Sequence, residues 1–160
     1  SAAGGGRVTS ASMNDDLAGN PTYGSGWRKC RVKHLGRALI GLTYSPEDVV
    51  GSGSGVPVLR ANNIQNGRLQ SDGLIYVDAK VPEKLRLREG DLLICSRNGS
   101  RHLIGKNGKV TKDFAGMTFG AFNTVIRSNV SDFLYWVLQS SIFEEKMGAY
   151  LTSTINQLTV

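Results

Sequence analysis

The sequence lacks any long apolar run. Its longest, Leu92 to Cys95 and Leu134 to Leu138, fall far short of the roughly 20 residues a membrane-spanning helix needs. It is also poor in cysteine: Cys30 and Cys95 stand alone and far apart, with no charged-then-apolar leader in view. A disulfide framework is therefore not expected, and both are read as reduced thiols of a cytosolic protein. No internal repeat of about 20 to 50 residues is visible, which excludes a solenoid. Acidic groups are scarce, 13 Asp and Glu against 19 Lys and Arg, giving a formal charge of +6 and a pI near 9.5. An anionic partner is expected.

What the chain has in excess is glycine, 20 of 160 residues, well above the roughly 7% of average usage. The rest is ordinary for a soluble globular protein: 40% apolar, 20% charged, mean hydropathy −0.18. The length fits one domain with a real core. Residues 1–26 are mostly Gly, Ser, Ala, Asn and Thr, too apolar-poor to offset the entropy of ordering them, and are expected to be a flexible tail or linker. Their charge is Arg7 against Asp15 and Asp16, so the other 134 residues carry 18 basic and 11 acidic groups, a net of +7. The positive charge belongs to the folded part, residues 27–160.

From Trp27 onward, short apolar or alternating stretches are separated by Gly, Asn and Asp about every ten residues, the rhythm of a turn-rich sheet. Strands are expected near 38–42, 56–61, 73–78, 91–96, 103–111 and 120–127. Asn66-Gly67 and Asp72-Gly73 are turn dipeptides, and Glu89-Gly90-Asp91 turns into the apolar strand Leu92 to Cys95. One helix is predicted over Asp132 to Met147: Ser131 caps it, Leu134, Val137, Leu138 and Ile142 share a face, and Gly148 stops it. The expected fold is α+β: one domain, a twisted, mainly antiparallel sheet, and one main C-terminal helix packed on it.

Fragments that look catalytic fail on mechanics. Gly99 to Lys106 has five residues between its glycines where a phosphate-cradling P-loop has four, and Asn107 stands where a Ser or Thr must ligate magnesium. Asn20-Pro21-Thr22-Tyr23 resembles the Asn-Pro-Pro-Tyr of adenine methyltransferases but sits in the polar tail with no strand leading into it. Cys30 with His34 and Cys95 with His102 lack the tight Cys-x2-Cys arrangement of a zinc site, and Cys95 continues a buried-strand pattern. Glu47-Asp48 and Glu144-Glu145 read as solvated surface. No catalytic residue, metal or cofactor is expected on this chain.

The basic residues cluster. Arg28, Lys29, Arg31, Lys33 and Arg37 form one acid-free block, and Arg97, Arg101, Lys106, Lys109 and Lys112 form a second. Gly, Ser, Asn and His are interspersed, groups that let a phosphate backbone approach and hydrogen-bond it. Nucleic-acid contact is the preferred reading; solvated strand faces are the bland one.

The order of the pieces then resembles a known family. Trp27, Val32 and Leu35-Gly36; Ile40-Gly41-Leu42-Thr43; Gly55 to Ile64 (GVPVLRANNI); Leu87 with Glu89 to Ile94 (EGDLLI); Ser96-Arg97-Asn98-Gly99-Ser100 with Ile104-Gly105-Lys106; and Thr154-Ile155-Asn156-Gln157-Leu158 together are similar to a target recognition domain of the specificity (S) subunit of type I restriction-modification enzymes. Each fragment alone is a weak signal; their shared order is the strong one. The resemblance implies a non-catalytic reader of double-stranded DNA in a bacterial or archaeal cytoplasm. Its partners would be methyltransferase subunits, which carry the S-adenosylmethionine, and indirectly the restriction subunit. Full S subunits hold two such domains joined by spacer helices, so this chain is expected to be half of a longer reader or a half-length S subunit. The alternatives are an S-like domain fused to methyltransferase and nuclease domains, and a generic basic RNA- or protein-binding module.

Within that frame the loop after strand 91–96 offers Arg97, Asn98, Ser100 and Arg101 as base-reading candidates, with Gly99 allowing close backbone approach. Arg suits guanine O6 and N7, and Asn suits adenine N6 and N7. Arg60, Asn62 and Asn63, after strand 56–61, form a second set with the same chemistry. Arg31, Lys33, Lys106 and Lys109 are assigned to phosphates, where they position without specifying.

Overall fold

A computed structural model of the chain describes residues 29–153, with side chains as far as Gly148. The tail 1–26, Trp27, Arg28 and the Thr154 to Leu158 segment lie outside the described residues. The chain divides after Arg31. Lys29, Cys30 and Arg31 of the first unit are exposed. The architecture that follows is that of the second unit.

In chain order its strands are β1 (Arg37–Ile40), β2 (Val49–Val50), β3 (Val56–Leu59), β4 (Ile64–Gln65), β5 (Arg68–Leu69), β6 (Ile75–Val77), β7 (Leu92–Cys95), β8 (Asn107–Lys109), β9 (Thr118–Phe119) and β10 (Asn123–Arg127). Two helices close the described chain, α1 (Ser131–Leu138) and α2 (Ser141–Ser153). The strands form two four-stranded sheets, β1-β10-β7-β8 and β2-β6-β3-β9, plus the β4-β5 hairpin. Every strand pair is antiparallel except β3 with β9.

Period-two alternation in the first sheet builds three layers. Leu93, Cys95 and Val125 face the second sheet and join Val58, Leu59, Val77 and Phe119 in the main core. Leu92, Ile94 and Ile126 face the other way and pack on Leu134 and Leu138 of α1. With both faces covered, β7 is buried at every residue, which is why its sequence reads as a continuous apolar run rather than an alternating one. Asn66 and Gly67, at φ 50° and 75°, turn the β4-β5 hairpin as expected of an Asn-Gly dipeptide.

The α+β class and the antiparallel character hold, but the sheet is two sheets. The single helix expected over 132–147 is two helices, broken at Gln139 and Ser140. Gln139 ends α1, and the Ser140 carbonyl restarts the ladder by accepting from Phe143 and Glu144 N–H. Gly148 does not stop α2, which runs on to Ser153. Ser131 is the first residue of α1 rather than its cap; Val130 holds that position. Of the strand expected over 103–111 only β8 forms, because residues 101–103 make a 3-10 turn and Gly105 takes a φ of 92°.

Candidate nucleic-acid interface

The C-terminal ends of β1, β3 and β7 and the link between β9 and β10 meet at one edge of the molecule. Four segments frame a cleft of about 410 Å³ there: Leu42 to Tyr44, Arg60 to Asn62, Asn98, and Gly120 to Asn123. Backbone hydrogen bonds lock these segments together. Leu42 N–H donates to Phe119 O at 2.7 Å, and Ala121 N–H to Leu42 O at 3.0 Å. Gly120 N–H donates to Leu59 O at 3.0 Å, and Ser96 and Arg97 N–H both donate to Phe122 O, at 3.0 and 2.9 Å. Gly41 makes the floor possible: a Cβ there would lie 2.2 Å from the Gly120 carbonyl oxygen. The cleft is thus a rigid junction of both sheets with loop side chains on its rim.

Its lining contains no acidic residue. Arg60 is half-buried, donates from one terminal nitrogen to Gly73 O at 3.3 Å, and leaves its buried Nε–H without a partner. Asn123 is 1% exposed; its Nδ2 lies 3.5 Å from the Leu59 carbonyl, and its buried Oδ1 has no partner. Phe122 projects at 59% exposure, with the Arg97 guanidinium 5.8 Å from its ring centroid. Asn98 accepts the Ser100 N–H at 2.9 Å, which sets the turn that presents Arg97. Beneath that turn Cys95 is buried; burial pushes its thiol pKa up, against smaller lowering contributions from the Arg97 backbone, the Asn98 side chain and Lys106. A neutral thiol held there is no nucleophile at pH 7.

This geometry can be set beside known proteins. No family model matches the chain. Over 130 residues, 78% of the chain, it is 29% identical to the type I restriction enzyme EcoKI specificity subunit of Escherichia coli (strain K12). It is 27% identical over the same length to the StySPI specificity subunit of Salmonella potsdam. The chain is related to type I restriction enzyme specificity subunits. It spans 28% of the length of either relative. Among solved structures, a chain from a type I R-M system, described for its complex assembly and conformational transition, superposes with a TM-score of 0.64 at 17% identity, covering 89% of this chain and 33% of its own. The HsdS subunit from Thermoanaerobacter tengcongensis superposes at 0.62 and 16%, covering 82% and 31%. These two likenesses establish the fold.

In this specificity-subunit relative the sequence candidates separate into groups. Arg60, Asn62 and Asn98 line the cleft, and Arg97 stands on its rim over Phe122. Ser100 is exposed farther along the same loop. Asn63 points elsewhere: it is fully buried, with Oδ1 accepting the Arg60 N–H at 2.9 Å and Nδ2 donating to Gln70 O and Asp72 O at 3.1 and 2.8 Å. Its amide is spent on shaping the loop, and nothing of it faces outward. Arg101 and Lys106 line a different cleft of about 500 Å³ against α2, and Lys106 Nζ lies 3.5 Å from Gln65 Oε1. Lys109 sits on a third surface shared with Asp72 and Asp113, and its Nζ pairs with Asp132 at 2.8 Å. Lys33 is exposed on the 32–34 turn.

Tyr44, Phe122 and Asn123 were not legible as site residues. The stretch 120–127 reads as one strand, whereas Gly120 to Phe122 form a tight link before β10 begins at Asn123. Gly120-Ala121-Phe122-Asn123 carries the signal in retrospect, a glycine ahead of an exposed aromatic. Among the described residues no three His, Cys, Asp or Glu side chains gather to hold a metal, and no helix is long and apolar enough to cross a membrane.

Proposed function

We propose that residues 27–160 form a target recognition domain that reads duplex DNA sequence on behalf of partner subunits, with residues 1–26 as its linker. The observation that carries the reading is the 130-residue similarity to two specificity subunits. The acid-free cleft, with Arg60, Asn62 and Asn98 in its wall and Arg97 on its rim, supports it. Those four side chains read base edges in this account, while Arg31, Lys33, Lys106 and Lys109 bind phosphates. The domain performs no chemistry itself. S-adenosylmethionine belongs to a methyltransferase subunit docked on the longer protein, a restriction subunit joins through that assembly, and the complex works in the bacterial or archaeal cytoplasm. That both relatives are specificity subunits favours this reading over a recognition domain within a single-chain enzyme.

The test is selection of bound duplexes from a randomised pool by the complete protein, repeated at two salt concentrations. Enrichment of one motif, with affinity falling by about 0.9 log units per phosphate contact per decade of salt, is expected. A pool that stays random rejects sequence reading, and salt-independent affinity rejects the electrostatic part.

A further inference from the structure

The link from Gly120 to Asn123 is pinned along its length, yet it presents an aromatic ring to solvent. Gly120 and Ala121 N–H donate to the Leu59 and Leu42 carbonyls, and Asn123 N–H closes the turn on Gly120 O at 2.9 Å. The Phe122 carbonyl alone accepts three donors: the Ser96 and Arg97 N–H groups, and the Ser96 hydroxyl at 3.2 Å. A ring carried on so fixed a backbone has little freedom left to lose on binding. Of the apolar side chains that line the cleft, Leu42 and Ala61 are buried, and Phe122 is the large one that is exposed. The Arg97 guanidinium lies over its ring, and among the described residues no hydrogen bond or ion pair engages that guanidinium. A single exposed apolar residue is ordinary on a protein surface. One stacked with an uncommitted arginine on the wall of an acid-free cleft has a use there.

We infer that Phe122 reads the C5 methyl group of a thymine, next to a guanine gripped by Arg97. The inference rests on the DNA-reading function proposed above. Thymine's methyl is the one apolar group that the four bases show in the major groove, and apolar contact with a side chain such as Phe is how it is read. The arginines and asparagines of the cleft discriminate by hydrogen bonds, which do not detect a methyl group. Arg97 supplies the complementary half: stacking on the ring fixes its guanidinium plane and leaves its N–H fork for guanine O6 and N7. The guanidinium stands 5.8 Å from the ring centroid, less than two base-pair rises of about 3.4 Å, so the thymine and the guanine belong to neighbouring base pairs. A ring wedged between stacked bases would need both faces. Arg97 covers one, so Phe122 offers its edge and the other face, enough for a methyl group.

The experiment uses the complete protein with its methyltransferase partner and duplexes carrying the motif it methylates. Motif thymines are replaced one at a time by deoxyuridine, which lacks the methyl group, and guanines by 7-deazaguanine, which lacks N7. At one thymine, deoxyuridine is expected to weaken binding about fourfold, the worth of one buried methyl group. At a guanine in a neighbouring base pair, 7-deazaguanine should weaken it about tenfold, the worth of one hydrogen bond to a charged group. Phe122→Ala should bind the thymine and deoxyuridine duplexes alike, whereas Phe122→Leu, which keeps an apolar contact, should retain part of the difference. Arg97→Met should become indifferent to 7-deazaguanine while still responding to deoxyuridine. If no thymine responds in the unaltered protein, or if the response survives in Phe122→Ala, Phe122 does not read thymine. A responding thymine with no responding guanine beside it overturns the pairing with Arg97. An unaltered protein that shows no preference for the motif over scrambled duplex rejects the DNA-reading function itself, whereas retained preference without a methyl effect overturns this assignment alone.

Discussion

Arg127 grips Asp91 with two parallel hydrogen bonds, Nε to Oδ1 at 2.8 Å and a terminal nitrogen to Oδ2 at 2.7 Å. The carboxylate is 2% exposed, and its Oδ2 also accepts the Arg88 N–H at 2.9 Å. Remaining guanidinium donors reach the Lys84 and Arg86 carbonyls. The Asp91 hydrogen bond holds the Arg127 pKa above its ordinary value, against the opposing effect of burial. The pair fastens the end of β10 to the turn that starts β7, so it braces the sheet whose far ends build the cleft.

Removing one partner strands the other. Arg127→Met leaves a buried carboxylate unpaired and is expected to cost about 3–5 kcal/mol, and Arg127→Met with Asp91→Asn should recover a large part of it. Urea denaturation of the two variants checks this; equal losses would mean that the ion pair is not what the single variant breaks.

The two thiols should behave oppositely. Cys30 is exposed and should be alkylated quickly in the native protein, whereas buried Cys95 should react only on unfolding. Because the fold raises the Cys95 pKa, the neutral thiol is favoured in the native state. That contribution is complete below the ordinary thiol pKa and declines as pH rises past it toward the folded value. The stability difference between the wild type and Cys95→Ala should therefore shrink from pH 7 to pH 10. A constant difference would remove the burial argument.

Much of this was legible because local chemistry and tertiary context agree. The apolar run at β7, the Asn66-Gly67 turn and the launch at Gly90-Asp91 all read correctly, since burial on both faces and positive φ leave strong marks in sequence. The helix break was not legible: Leu134, Leu138 and Ile142 keep a helical spacing across it, yet only the first two are buried, and Ile142 is 68% exposed. The two-sheet split escaped as well, because period-two alternation says which residues are buried but not against what. In the candidate site, residue types marked Arg60, Asn62, Arg97 and Asn98. Asn63 has the same chemistry as Asn62, and only the path of the chain turns one inward. Asn123 looked like any strand residue, and its unpaired oxygen exists only once β3 and β10 meet.

Two glycines of opposite kind discriminate the cleft floor from its rim. Gly41→Ala forces a Cβ into the Gly120 carbonyl and should destabilise by several kcal/mol, comparable to overpacking a core. Gly99→Ala meets nothing within 4 Å and should stay within about 0.5 kcal/mol of the wild type. Thermal melts of both suffice; a stable Gly41→Ala would mean that the two sheets do not close here as described.

Charge removal sorts the phosphate candidates. Lys106→Ala is expected to lower the salt slope of duplex binding by about 0.9. Lys109 is already engaged by Asp132, whose own side chain is 83% exposed. Asp132→Asn should therefore cost no more than about 1 kcal/mol of stability while raising affinity for all duplexes alike. Filter binding across a salt series reads both, and an unchanged slope in Lys106→Ala takes that residue out of the interface.

The central claim is that the loops around this cleft set the sequence read. Long-read methylation mapping of DNA from cells expressing the complete protein with its methyltransferase partner tests it most directly, comparing wild type with Arg97→Ala and Asn62→Ala. One adenine-containing motif is expected for the wild type, altered or relaxed at particular positions in each variant. An identical motif in the wild type and both variants would contradict the account.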